Sequence, residues 1–319
     1  MKPILCFGDA CADFLIPFGN ALRYKRGEDM AAEQLEVDFH QGGSVANTAY
    51  GLGVLRAPVM FCGTCGDDSY GHQLEQGLAA VGVDTSLVRF SSEHSTMMVL
   101  LVIDETGDRT AFAVPKHGAS QHAIISEQIP DDILDRIGWM HSTGMTLRED
   151  PAASVQIDLM RRCYERGIPV SFDINTRMEA LSDGFLAQKL RLARRYCNYV
   201  LGSLEMEIPM FAEVSDPIRA AEILSAEGKT VILRNGGDGA IVCENGTFTH
   251  QPAFPVKVVD AVGAGDAYNA GFLYGMFQRL PAIEANRTAC AVAAYCVAHS
   301  GGHACPSPEE LQEFLSKME

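Results

Sequence analysis

Positive charge is scarce in this chain of 319 residues: 25 Lys and Arg stand against 41 Asp and Glu, a formal net charge of −16. That balance excludes a broad footprint on nucleic acid, whose phosphates recruit Lys and Arg, and leaves room only for a local cationic pocket around a small phosphate. Long apolar runs are missing too. The longest, "ACAVAAYCVA" at 289–298, is too short to span a bilayer. The opening "MKPILCFGDACADF" has one Lys and an apolar stretch cut by Asp9 and Asp13, a poor signal peptide, so a cytoplasmic protein without a membrane anchor is expected. No internal repeat, low-complexity tract or linker interrupts the chain.

Metal-ligand spacing is absent as well: His299/His303 and Cys290/Cys296 supply neither a CxxC nor an HExxH pattern. The ten Cys read as reduced thiols, used mostly as small apolar side chains. "CGTC" at 62–65 has the spacing of a redox pair, but a reactive Cys belongs at a helix N-terminus, and "VMFC" reads as a strand. A nucleotide P-loop is also missing. "EGKT" at 227–230 has Ile223 where the first glycine is needed, and Gly228 reads as a helix C-cap.

What is there is the composition of a globular protein, 47% hydrophobic and 21% charged, at a length that fits one large domain over 1–319. After a short apolar strand at 3–8, strand-like and helix-like runs alternate, from "PVMFC" and "YGHQLEQGLAAVG" to "NYVLG", "DPIRAAEILSAEG" and "TVILRN". Such alternation predicts an α/β fold with a mainly parallel sheet flanked by helices. Two stretches break the rhythm. Residues 12–40 and 95–114 read as extended, the second turning at "DETGD", and predict a small β-sheet serving as a lid over the carboxyl ends of the main strands.

The most informative stretch is "VVDAVGAGDAYNAGF" at 258–272, where Gly263, Ala264 and Gly265 make a bend and Asp266 opens a helix. Small residues at a helix start let a phosphate approach the unpaired amides. The carboxylate has two readings: charge complementarity at a helix N-terminus, or a base facing a hydroxyl that attacks a phosphate held by the same turn.

"DAVGAGDAYNAGF" closely resembles the C-terminal signature of the ribokinase-like, or PfkB, family of carbohydrate and nucleoside kinases, and "GGSVANTAYGLGVL" resembles that family's N-terminal G-G-x-x-x-N signature. "FCGTCGDDSYG" is similar to the strand and turn that follow it. The resemblance implies a Rossmann-like, ribokinase-like α/β fold and an ATP-dependent sugar kinase that uses Mg²⁺ and leaves room for a monovalent cation such as K⁺. It implies Asp266 as the base, with Gly263, Ala264 and Gly265 completing the anion hole, which suits phosphoryl transfer. Asp13, Gly42, Gly43 and Asn47 would cradle the sugar, although tight-turn glycines and a solvated Asn explain the same letters. In the lid, Met98 and Arg109 are candidate substrate contacts, Met98 alternatively mere packing.

"SFDINTR" resembles the D-x-N-x-R pattern of fructokinases and 2-keto-3-deoxygluconate kinases and puts Asp173 and Arg177 at the substrate, unless it is a plain loop with a solvated Arg. "VILRNGGDGAIV" resembles the family's nucleotide-side strand and turn, with Arg234, Gly236 and Gly239 beside the phosphates; Asn286 is a candidate contact on the adenine side. Three positions depart from the pattern. Ala261 stands where Thr is usual, and the metal-organising N-x-x-E motif falls on Ser203 and Met206, so that Glu205 or Glu207 would have to act on Mg²⁺ through water. Fructose is the leading acceptor, with 2-keto-3-deoxygluconate or a nucleoside as alternatives and a catalytically weak sugar- or nucleotide-binding regulator as the reading from another class. A homodimer through the lid sheet is expected.

Overall fold

In the computed structural model, which describes residues 2–19, 37–104, 109–176, 183–299, 301 and 303–318, the chain opens with β1 (Ile4–Phe7), buried along its length. Its side chains alternate between two cores, Leu5 and Phe7 on one side of the sheet and Ile4 and Cys6 on the other, as a strand's period of two requires. β2 (Cys11–Gly19) and β3 (Asp38–Gly42) follow, then α1 (Ser44–Val54), β4 (Val59–Gly66), α2 (Ser69–Ala80) and β5 (Asp84–Ser91). After β6 (Met97–Asp104) and β7 (Arg109–Val114) come α3 (Ile133–Arg136), β8 (Trp139–Thr143), α4 (Ala152–Glu165), β9 (Val170–Asp173), α5 (Gly184–Tyr196) and β10 (Tyr199–Ser203). The chain continues through α6 (Glu207–Ala212), α7 (Pro217–Ala226), β11 (Thr230–Arg234), β12 (Ala240–Glu244) and β13 (Thr247–Gln251) to α8 (Ala264–Phe277), α9 (Ala282–Val297) and α10 (Pro308–Lys317).

Among the described residues the main sheet has the order β13-β12-β11-β10-β9-β8-β1-β4-β5. Strands β5 to β11 in this order run parallel, and β12 and β13 return antiparallel. Burial on both faces explains why β4 is apolar or small throughout rather than alternating. The chain leaves β1 for β4 on one side and later returns to β8 on the other, which puts a topological switch point at the carboxyl ends of β1 and β8. There Asp9 sits just past β1 and accepts a hydrogen bond from Thr143 Oγ1 of β8 at 3.3 Å.

The second sheet has the order β3-β2-β6-β7. It is built from the two stretches that break the sequence rhythm, and β6 and β7 form the expected antiparallel pair. The main strand β4 runs further than expected, to Gly66. Cys62 and Cys65 therefore both lie in the strand, buried in different cores, and burial pushes each thiol up to about 12. They form no redox pair. Gly228 is left-handed just past α7, as the C-cap reading requires. No described helix is long and apolar enough to cross a membrane.

Candidate active site

Helix α8 begins at the bend the sequence marks. Gly263 caps it with φ 75°, a conformation that penalises any Cβ. Ala264, Gly265 and Asp266 make the first turn, whose amides lack intrahelical acceptors and carry the positive end of the helix dipole. Ala264 and Gly265 line a cavity of about 630 Å³. Its other walls come from Arg234, Gly236 and Gly239 of the β11–β12 turn, from Phe254, Val256 and Val258, and from Cys290, Ala293 and Val297 on α9. Gly239 (φ 95°) has no room for a side chain, since a Cβ would stand 2.1 Å from the Gln251 carbonyl oxygen. Backbone amides at one end of an otherwise largely apolar slot suit a ligand with phosphates at one end and a base at the other.

At the edge of this turn the Asp266 carboxylate is held by two donors. Ser44 Oγ donates to Oδ1 at 2.5 Å, and Asn47 Nδ2 donates to Oδ2 at 2.8 Å. Burial is the main influence on its acidity and outweighs those hydrogen bonds. With Asp173 and Asp9 nearby adding repulsion, the carboxyl is raised to about 7. A carboxyl poised there can take a proton near neutral pH.

Both donors ride on the first turn of α1, and that helix is aimed by an unexpected residue. Its N-cap Gly43 (φ 98°) offers no side chain, so Asp9 caps α1 from the end of β1, accepting from the Ser44 amide at 2.7 Å. A Cβ on Gly43 would lie 2.6 Å from Ala10 Cα. Asp13 stands on β2 opposite His40 of β3, and Cys11 Sγ donates to its Oδ1 at 3.1 Å. Burial, with help from Asp9, raises the Asp13 carboxyl. Gly42 leaves the space that Asp13 occupies: a Cβ there would fall 2.3 Å from Oδ2. Met98 lies half-buried on β6, paired with Ala12. Arg109 is described only as the first backbone position of β7, and Arg177 lies outside the described residues.

Two residues that the sequence reading sends to different ligands are turned towards each other. Arg234 makes a two-pronged bridge to Asp173, at 2.7 Å and 2.9 Å, although they end different strands with β10 between them. Asn269 Nδ2 also donates to Asp173, at 2.6 Å, and Asp173 is only 1% exposed. Burial works against the Arg234 charge, yet Asp173 and Glu207 more than compensate and hold it firmly protonated. The guanidinium also reaches the Gly265 carbonyl at 3.3 Å, so this cluster underpins the α8 turn from below. Asp173 is thus filled by protein partners rather than open to substrate. Asn286 is corrected in the same way: it is fully buried, accepts from Tyr268 Oη at 2.6 Å and donates to the Ala240 carbonyl, behind the cavity wall.

The two metal candidates part company. Glu205 is exposed in a separate groove between α5 and α6. Glu207 turns inward, accepts from the amides of Thr176 at 3.0 Å and Ser203 at 2.7 Å, and lies 3.5 Å from Arg234. Burial and then Asp173 raise its carboxyl. Among the described residues no group of three or more His, Cys, Asp or Glu could hold a metal ion. With Asp173 bound by Arg234 and Glu207 bound by two amides, the residues present do not fit direct ligation of Mg²⁺.

Ser44, Asp9, Asn269 and His303 were not singled out from sequence for this site, whereas Asn175 is the Asn of the D-x-N-x-R pattern. Asn175, with φ 35°, donates to Ser44 Oγ at 2.6 Å, and His303 Nε2 meets Asn47 Oδ1 at 2.8 Å. Ser44 and Asn269 carried a usable signal, one lying inside the G-G-x-x-x-N stretch and the other three residues after Asp266 on the same helix.

The pattern described as pfkB family carbohydrate kinase matches residues 1–310. A 5-dehydro-2-deoxygluconokinase of Clostridium tetani is 26% identical over 86% of this chain and 84% of its own length. A fructokinase of Klebsiella pneumoniae is 27% identical over 74% of this chain and 76% of its own. The fold is shared with the crystal structure of a fructokinase from Xylella fastidiosa, solved with bound ATP, at TM-score 0.84 and 23% identity over 99% and 98% of the two chains. With nearly the whole chain matched, this protein belongs to the pfkB family of carbohydrate kinases and is a phosphotransferase acting on a sugar hydroxyl.

Proposed function

We propose that this sugar kinase transfers the γ-phosphoryl group of ATP to a terminal hydroxyl of a monosaccharide, with fructose the leading acceptor and 2-keto-3-deoxygluconate next. One observation carries the reading: a carboxylate raised to about 7 sits at the end of an amide-lined turn that opens on a nucleotide-sized cavity. Relatives named fructokinase and 5-dehydro-2-deoxygluconokinase support the two acceptors. Asp266 takes the proton of the acceptor hydroxyl as its oxygen bonds to the γ-phosphorus. The bond from that phosphorus to the β–γ bridging oxygen breaks, and ADP leaves. The amides of Ala264, Gly265 and Asp266 meet the charge on the moving group, and Asp13 holds sugar hydroxyls on the other side. A ³¹P NMR screen of fructose and 2-keto-3-deoxygluconate with Mg-ATP tests the proposal, which fails if neither sugar nor any other monosaccharide gives a phosphate ester.

Two expectations belong to this mechanism. The base acts ionised, so kcat/KM should fall on the acid side with an apparent pKa near 7; a flat profile from pH 5 to 9 would remove Asp266 from the role. Gly42→Ala pushes the Asp13 carboxylate aside, so the acceptor KM should rise about tenfold or more while that for ATP holds. Equal loss for both substrates would mean general damage instead.

A further inference from the structure

We propose that His303 is a positioning residue that locks the side-chain amide of Asn47 with its NH₂ towards Asp266, and so keeps that carboxyl ready to act in its ionised form. The inference rests on Asp266 as the base. The contacts come from three distant parts of the chain. Asn47 Nδ2 donates to Asp266 Oδ2 at 2.8 Å, and the opposite end of the same amide, Oδ1, meets His303 Nε2 at 2.8 Å. A carbonyl oxygen only accepts, so Nε2 carries the proton and His303 is the donor. The ring is clamped face to face on Tyr50, with centroids 4.1 Å apart and planes 16° apart. Burial, with His40 adding to it, lowers the imidazole to about 4, so it is neutral throughout the working range and does not titrate with the base.

The consequence follows from which hydrogen bonds each form of Asp266 needs. Ionised, the carboxylate wants donors on both oxygens. Protonated, it needs one neighbour to accept. Ser44 Oγ already accepts from Asn175 Nδ2 and points its own proton at Asp266. The second lone pair of Ser44 Oγ could take a proton from Asp266 only if the hydroxyl turned its own proton away; otherwise the Asn47 amide must rotate by half a turn, presenting Oδ1. That rotation breaks the bond from His303 and sets an NH₂ against the Nε2 proton. His303 therefore favours the ionised base without touching it. The charged and titratable groups facing Asp266 from other elements are Asp9, Asp173, Arg234 and the thiols of Cys11 and Cys296, and among the described contacts none of them touches His303.

Two substitutions separate the hydrogen bond from packing. His303→Phe keeps a ring on Tyr50 and has no donor; His303→Gln keeps a donor and loses the ring. With H303F the acid limb of kcat/KM should move up by about one pH unit, as expected for loss of a hydrogen bond that favours one protonation state. Activity well above the limb should fall far less, and H303Q should leave the limb at its wild-type place. The ¹³C titration of the Asp266 carboxyl in ligand-free protein, assigned by its loss in Asp266→Asn, should show the same upward shift in H303F. That signal needs no turnover: if it moves while no variant phosphorylates a sugar, the catalytic reading fails and the lock stands. An unmoved titration in H303F, or equal shifts in both variants, overturns the lock.

Discussion

Asp266→Asn is expected to lower kcat by about a hundred- to ten-thousand-fold, the range a positioned base contributes, while the protein keeps its fold. The substitution is nearly isosteric: the Asn oxygen accepts from one of Ser44 and Asn47, and the other has to turn to accept from the new NH₂. The stability effect has a definite sign. In the folded protein this carboxyl binds its proton up to about 7, whereas in the unfolded chain it releases it near 3.8. Between those values the native state holds more protons, so this group subtracts stability as pH rises from about 4 to 7, and the loss is complete above that. The amide has no such penalty. The melting temperature of D266N relative to wild type should therefore be higher at pH 8 than at pH 5. Turnover close to wild type would refute the base; a relative stability independent of pH would refute its burial.

The second large effect concerns the ion pair beneath the turn. Arg234→Ala leaves Asp173, 1% exposed, as a charge without its cation, and takes the same cation from Glu207. Removing one partner of a buried pair costs about 3–5 kcal/mol. The loss should appear as a lower urea midpoint with an unchanged slope. Removing both charges, with Asp173→Asn and Arg234→Met together, should recover a large part of it, since the destabilising element is the unpaired charge. The double variant should still phosphorylate poorly, because Arg234 also braces the Gly265 carbonyl. If the single and double variants are equally unstable, the pair is not the reason.

What could be read from the sequence was local. Alternating strand and helix runs give the parallel sheet, and Gly263 followed by Ala264, Gly265 and Asp266 gives the helix start, because each depends on neighbours within a few residues. The pairing of Asp173 with Arg234 depends on strand order. Only once β9, β10 and β11 lie side by side do the ends of two strands 61 positions apart meet, and no local pattern fixes that. His303 reaches the site for the same reason. Glu205 against Glu207 was a question of register. Ser203 ends β10 and Glu207 starts α6, so only the later acid faces back into the site. Asn286 illustrates the converse, a helix read as a wall whose candidate contact is buried and points away from the cavity.

The decisive measurement is a crystal structure with a non-hydrolysable ATP analogue and the best acceptor from the NMR screen. The acceptor hydroxyl oxygen is expected about 3 Å from the Asp266 carboxylate, with the terminal phosphate on the amides of residues 263–266. A sugar whose hydroxyl lies beyond reach of Asp266 while the phosphate occupies that turn would contradict the assignment.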